Sequence, residues 1–234
     1  MKPSISRNGK VGLSIDSSLT GATVAAGRVA GPAVVRHRFT TGRYAARMPG
    51  SDARLDEVIA LLASMSRHRY GERVDMLDHS LQTAARAAAD DADDDLVVAA
   101  LLHDIGHVLG EAGDWGLADH AQVGADYLSG WLPATVVEPI RLHVEAKRYL
   151  VATDREYRQH LSEASIMSLR EQGGPMTDEE AQSFLTGPFA PDAVRLRRWD
   201  DDGKVVGDAV PTLDDARRVL ARLQGRPSTR AKSL

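Results

Sequence analysis

Within five residues, His103-Asp104-Ile105-Gly106-His107 offers two imidazoles and a carboxylate, directly after the apolar run Leu96-Val97-Val98-Ala99-Ala100-Leu101-Leu102. On a continuous helix His103 and His107 share a face, while Asp104 is turned about 100° round the axis. Burying such groups costs free energy unless each finds a partner, and metal coordination supplies one. The plain alternative is a pair of helix-end histidines beside an N-capping Asp.

The other histidines weigh on that choice. Of the chain's eight, His37, His68 and His160 sit in polar, irregular stretches and read as surface residues. His79, His103, His107, His120 and His143 each lie on or at the end of an apolar-patterned helix. One histidine on such a face is ordinarily a satisfied core residue. Five on consecutive helices would each need a separate buried partner, and one shared metal centre accounts for them together. With no cysteine, disulfides and thiolate sites are excluded. A site of nitrogen and oxygen ligands suits Fe, Mn, Mg or Zn.

The elements that must position these groups are helical. Leu55, Val58, Ile59, Leu62 and Met65 mark one apolar face, and Val74, Leu77, Leu81, Ala84, Ala85 and Ala88 a second, which carries His79. Acidic residues 90–95 start a helix over 96–109, and 110–116 reads as a loop. A fourth helix is expected over 118–131 with His120 near its beginning. Pro133 suits the first turn of a fifth, over 134–144, ending in His143. Further helices are expected over 162–172 and 178–185, separated by Gly173-Gly174-Pro175, then over 193–199 and 213–223. Asp201-Asp202-Gly203-Lys204 reads as a turn. No segment alternates with period two over strand length, so the fold class is all-α.

Composition bounds the partners. A net charge of -4 and 5% aromatic residues argue against a nucleic-acid partner. No apolar run approaches the ~18 residues of a membrane span, so no membrane partner and a cytoplasmic location are expected. Residues 1–50 hold eight Lys or Arg against one acid, a net of +7 that leaves -11 for the rest. They read as a disordered N-terminal extension, with a transit-like peptide as the alternative. The domain follows over 51–224, and 225–234 is a flexible basic tail.

His79, then His103-Asp104, then a late Asp resembles the HD-domain superfamily, whose ligands run H…HD…D. His120 and His143 add the two imidazoles of its dinuclear members. The segments Tyr70-Gly71-Glu72, His79-Ser80-Leu81-Gln82, His143 to Leu150, Leu161 to Ser165, Gln172 to Met176 and Arg198-Trp199-Asp200-Asp201 extend the likeness. Over about residues 55–205 the chain resembles the mixed-valent di-iron HD oxygenases of organophosphonate breakdown, relatives of inositol oxygenase. The resemblance implies an HD-domain helical bundle. It implies two iron ions, Fe(II)/Fe(III), held by His79, His103, Asp104, His120, His143 and Asp200, with Asp104 bridging and Asp201 as alternative to Asp200. His107, Lys147, Ser165 and Gln172 would hold the phosphonate, and Tyr70 and Glu72 would close around the far end of the substrate. Asp104, His107 and Lys147 would carry the catalysis.

Spacing is consistent with this: His143 and Lys147 are four apart, and Ser165 and Gln172 seven apart, each pair on one helical face. The implied reaction uses O2 to cleave the C–P bond of a 1-hydroxy-2-aminoethylphosphonate-type substrate, giving phosphate and glycine. A trimethylammonio-substituted substrate is a variant of the same chemistry. The alternative is an HD-family phosphohydrolase in which two metals activate water against a phosphate ester. A scaffold that has lost chemistry is disfavoured by the complete ligand set. The oligomeric state stays open.

Overall fold

The computed structural model describes residues 51–69, 73–109 and 119–224. The extension 1–50, the tail 225–234, Tyr70, Glu72 and the expected loop 110–116 lie outside the described residues. Ten α-helices and one 3-10 turn make up the described chain, with no strand among the described residues. The all-α expectation holds.

The centre is α3 (Asp94–Leu102), six of whose nine residues are buried. Its start is set by Asp93, whose carboxylate accepts the Leu96 N–H at 2.9 Å. Around it pack α2 (Met76–Ala89), α5 (Ala134–Thr153), α9 (Ala190–Asp202) and α10 (Leu213–Gln224). Leu62 and Met65 of α1 (Ser51–Met65), Leu102, Ile140, Leu196 and Leu220 fill the shared core with no exposed surface. A smaller core of Leu150, Val151, Tyr157 and Leu169 joins the far end of α5 to α6 (Arg155–His160) and α7 (Glu163–Glu171). α4 (His120–Leu128) lies against α5, and α8 (Asp178–Leu185) opens with a capping box between Thr177 and Glu180.

Three expectations are corrected. The helix expected over 96–109 ends at Leu102; His103 and Asp104 form a turn, and a 3-10 turn follows over Ile105–Val108. His103 and His107 therefore do not share the face of one continuous helix. The fifth helix does not stop near His143 but runs on to Thr153, because Ala146, Leu150 and Val151 continue its buried stripe. The helix expected over 193–199 is longer in both directions and includes Asp200, Asp201 and Asp202.

Candidate metal centre and anion pocket

His79 lies on α2, His103 at the end of α3, His120 at the start of α4, His143 in the middle of α5 and Asp200 near the end of α9. All five are buried. The ligating atoms of His79, His103 and Asp200 lie within 4.8 Å of one another, as do those of Asp104, His120 and His143.

Asp104 joins the two trios. Its Oδ2 is 3.6 Å from His79 Nε2 and 3.4 Å from His103 Nε2. Its Oδ1 is 3.4 Å from His120 Nε2 and 3.8 Å from His143 Nε2. The turn at 103–104 is what allows this: released from the helix, Asp104 points between two sets of imidazoles.

The orientation of the rings tests whether metals fit. His79 Nδ1 is 3.0 Å from the Gly203 carbonyl, His103 Nδ1 2.8 Å from that of Ala100, and His143 Nδ1 2.7 Å from that of Ile140. A carbonyl only accepts, so each Nδ1 carries the proton and each Nε2 turns a lone pair into the site. Two such Nε2 atoms, of His79 and His103, stand 3.2 Å apart, and that of His143 stands 3.0 Å from His120 Nε2. Facing lone pairs repel unless a cation lies between them. The donor set of imidazoles and carboxylates suits iron, manganese or zinc.

Charge follows the same plan. Burial would raise the pKa of Asp104, but His103, His107 and His120 outweigh it and hold the carboxyl well below its usual range. Burial opposes ionisation of Asp200 as well, and Arg197, Lys204 and His103 overcome it. Asp200, rather than Asp201, meets the imidazoles: its Oδ1 is 3.3 Å from His79 Nε2. Asp201 turns to Arg197 and to Tyr157, whose hydroxyl donates to it at 2.5 Å.

Beside the metal trios is a pocket of cations. Lys147 sits one turn beyond His143 on α5, 3% exposed, and donates to Ser168 Oγ at 2.9 Å. Burial, then the like charge of Arg197, pushes its pKa down to about 7. Lys204 donates to Ser165 Oγ at 3.2 Å and lies 3.6 Å from Asp200 Oδ1. Ser165, Ser168 and the half-buried Gln172 share one face of α7 and its cap, the face turned to Lys147. His107 stacks on His120 with ring centres 4.0 Å apart. Burial, and then the neighbouring His120, drives its pKa down to about 3.

Four of these residues were not foreseen. Lys204 is four after Asp200, the same relation as Lys147 to His143, so spacing could have found it. Ser168 lies between Ser165 and Gln172 on their shared face. Arg197, buried and ion-paired to Asp200 and Asp201, stands in the charged run Arg195 to Arg198, which hides it. Tyr157 lies on the short helix α6, for which no periodicity is long enough to read.

Comparison with known proteins supplies the family. Residues 76–182 match the HD domain. The chain is 42% identical over 178 residues to a hydroxymethylphosphonate dioxygenase from Gimesia maris, covering 72% of this chain and 86% of that protein. It is 42% identical over 139 residues to a [1-hydroxy-2-(trimethylamino)ethyl]phosphonate dioxygenase (glycine-betaine-forming) from Leisingera caerulea, covering 57% and 71%. A protein of uncharacterised function from Acanthamoeba polyphaga mimivirus is 33% identical over 157 residues, covering 64% and 72%. With the HD domain matched and the likeness covering more than two thirds of each of these two relatives, the chain belongs to the same HD-domain oxygenase family as the two dioxygenases.

Proposed function

We propose that this protein is an O2-dependent oxygenase that cleaves the C–P bond of a small 1-hydroxyphosphonate, releasing phosphate and a carboxylic acid. The observation that carries this reading is the placement of a buried, serine-held cation pocket beside two ligand trios that share one carboxylate. In this reading His79, His103 and Asp200 would hold one iron and His120 and His143 the other, with Asp104 shared between the two trios. A Fe(II)/Fe(III) pair supplies Lewis acidity and the electrons that dioxygen chemistry requires. The atoms balance without water: a 1-hydroxyphosphonic acid plus O2 equals a carboxylic acid plus phosphoric acid, so C1 and phosphorus each gain one oxygen as the C–H and C–P bonds break.

The chain's own residues bind and orient. The phosphonate arrives as an anion and replaces hydration with Lys147, Lys204 and the hydroxyls of Ser165 and Ser168, with Gln172 as a further donor. Its charge reverses the cost of burying Lys147, so the ammonium is retained where the empty pocket would depress it. His107, kept neutral, would donate its one N–H to the phosphonate without adding charge. Fixing the phosphonate end in this way sets where C1–H points, and that positioning raises the rate. At the far end, Tyr70 and Glu72 are proposed to meet the substituent. A primary amine there gives 2-amino-1-hydroxyethylphosphonate as substrate and glycine as product.

The test is phosphate release from a panel of hydroxymethyl-, 2-amino-1-hydroxyethyl- and trimethylammonio-substituted phosphonates, with and without O2. Oxygen-dependent release, with one 18O from labelled O2 in each product, is expected. Oxygen-independent phosphate release from esters overturns the reading in favour of a phosphohydrolase.

A further inference from the structure

Each ligand trio is joined to its neighbouring helix through a glycine pressed against backbone. A Cβ on Gly106 would lie 1.9 Å from the carbonyl oxygen of His120 and 2.9 Å from the amide nitrogen of Gly124. Neither atom can swing aside, because both belong to the first turns of α4. Gly124 faces back across the same contact, where a Cβ would lie 3.1 Å from the Gly106 nitrogen and 3.3 Å from Ile105 Cγ2. The turn that carries Asp104 and the helix that opens with His120 are thus seated on one another at the closest range two backbones allow.

The other trio has its own seat. A Cβ on Gly203 would lie 2.5 Å from Thr83 Oγ1 and 3.0 Å from the Thr83 nitrogen. Gly203 ends α9 just after Asp200, and its carbonyl is the acceptor that orients His79. Thr83 lies one turn beyond His79 on α2, and its hydroxyl donates to the His79 carbonyl at 2.8 Å. Contact between Gly203 and Thr83 therefore fixes the end of α9, and with it Asp200, against the helix that carries His79.

We propose that Gly106 and Gly203 are the positioning residues of the metal centre, Gly106 for the Asp104–His120–His143 trio and Gly203 for the His79–His103–Asp200 trio. This rests on the dinuclear reading above. A methyl at Gly106 must drive the His120 backbone away from the turn, and so from Asp104. Displacing groups that orient a ligand typically costs about 10- to 100-fold in metal affinity. A methyl at Gly203 first meets a hydroxyl that can rotate, so the push on Asp200 is smaller. The two substitutions act on different helices, α4 and α9, and their effects separate.

Iron-loaded wild type, Gly106→Ala and Gly203→Ala are compared by iron per chain, by competition with a chelator, and by anomalous diffraction at the iron edge to locate each ion. Circular dichroism checks the helices. Wild type is expected to hold two irons. Gly106→Ala keeps the iron at His79, His103 and Asp200 and binds the other about 10- to 100-fold more weakly. Gly203→Ala shows the reverse selectivity with a smaller loss. If Gly106→Ala does not fold, Gly124→Ala applies a gentler push at the same seat and is expected to weaken only the His120 position. Glycine variants that hold both irons with wild-type affinity, or that lose both together, overturn the proposal. A wild-type chain that binds fewer than two irons overturns the dinuclear reading instead, so the two failures are distinct.

Discussion

The two ligand trios are built alike in their imidazoles and differently in their carboxylates. Asp200 is backed by cations: Arg197 pairs with its Oδ2, and Lys204 lies 3.6 Å from its Oδ1. Asp104 is ringed by imidazoles. The Asp200 carboxylate shares its charge with a guanidinium, whereas Asp104 divides its two oxygens between the imidazoles of the two trios. The position at His79, His103 and Asp200 thus has a carboxylate of its own besides the shared Asp104. The cation pocket borders both trios, through Lys204 beside Asp200 and through Lys147 one turn beyond His143. The difference is one of support: Asp200 is held by cations of its own, whereas Asp104 is held by the imidazoles it joins.

The severest break in that comparison is loss of one trio alone. His120→Ala is expected to leave an iron at His79, His103 and Asp200, vacate the other position and reduce turnover to background. Iron analysis and the loss of a mixed-valent EPR signal check it, and a variant retaining two irons would remove His120 from the ligands. Next in size is Lys147→Met, which removes the buried ammonium and leaves both trios whole. Substrate binding should weaken by about 2–5 kcal/mol while iron content stays at the wild-type value.

The same variant should make the metal-free, substrate-free chain more stable, by about 1–4 kcal/mol, because an apolar side chain replaces a buried charge facing Arg197 and Lys204 as well as Asp200 and Asp201. The sign of the pH dependence follows from the depressed pKa. Between about 7 and 10.5 the unfolded chain keeps the Lys147 proton that the folded chain has released. Wild-type stability therefore rises with pH through that window, and the advantage of Lys147→Met shrinks. Denaturant melts of both proteins at pH 7 and pH 10 measure it; a gap that stays constant would show that Lys147 is not desolvated.

How much of this the sequence discloses depends on which forces fix each part. The histidines announce themselves because polar rings on apolar helical faces need a common explanation. Lys147 is suggested by its spacing from His143, while Ser165 is singled out only by the family resemblance, since a serine on a short helix otherwise reads as surface. The break after Leu102 does not, since it arises from the contact of Gly106 with His120, fourteen residues on, and local propensity would carry the helix through. Lys204 escapes because Asp201-Asp202-Gly203-Lys204 has the composition of a solvated turn, yet its ammonium is drawn inward to Ser165. Arg197 escapes because a run of arginines reads as surface, and burial is decided by where α9 meets α5 and α6.

A finer cut is Arg197→Lys, which keeps the charge but loses the fork that holds Asp200 and Asp201 at once. Iron at His79, His103 and Asp200 is expected to bind about 10- to 100-fold more weakly, with the His120 position unchanged. Chelator competition read position by position checks this. Equal loss at both positions would mean that Arg197 supports the bundle rather than the ligand.

The smallest effect should come from Tyr157→Phe, one step further out. Burial, and then Asp201, push its phenol pKa above the usual value, so it stays protonated and donates to Asp201. Without the hydroxyl, Asp201 still accepts from the Arg197 guanidinium at 3.0 Å and remains within 3.6 Å of Lys204. The ring keeps its place in the small core with Leu150 and Leu169. A stability loss of about 0.5–1.5 kcal/mol is expected, with iron affinity at both positions within twofold of wild type. Should Tyr157→Phe weaken iron as much as Arg197→Lys, the cation backing of Asp200 would have to be a single cooperative network reaching to α6, and the contrast between the trios would widen from one guanidinium to a whole side of the bundle.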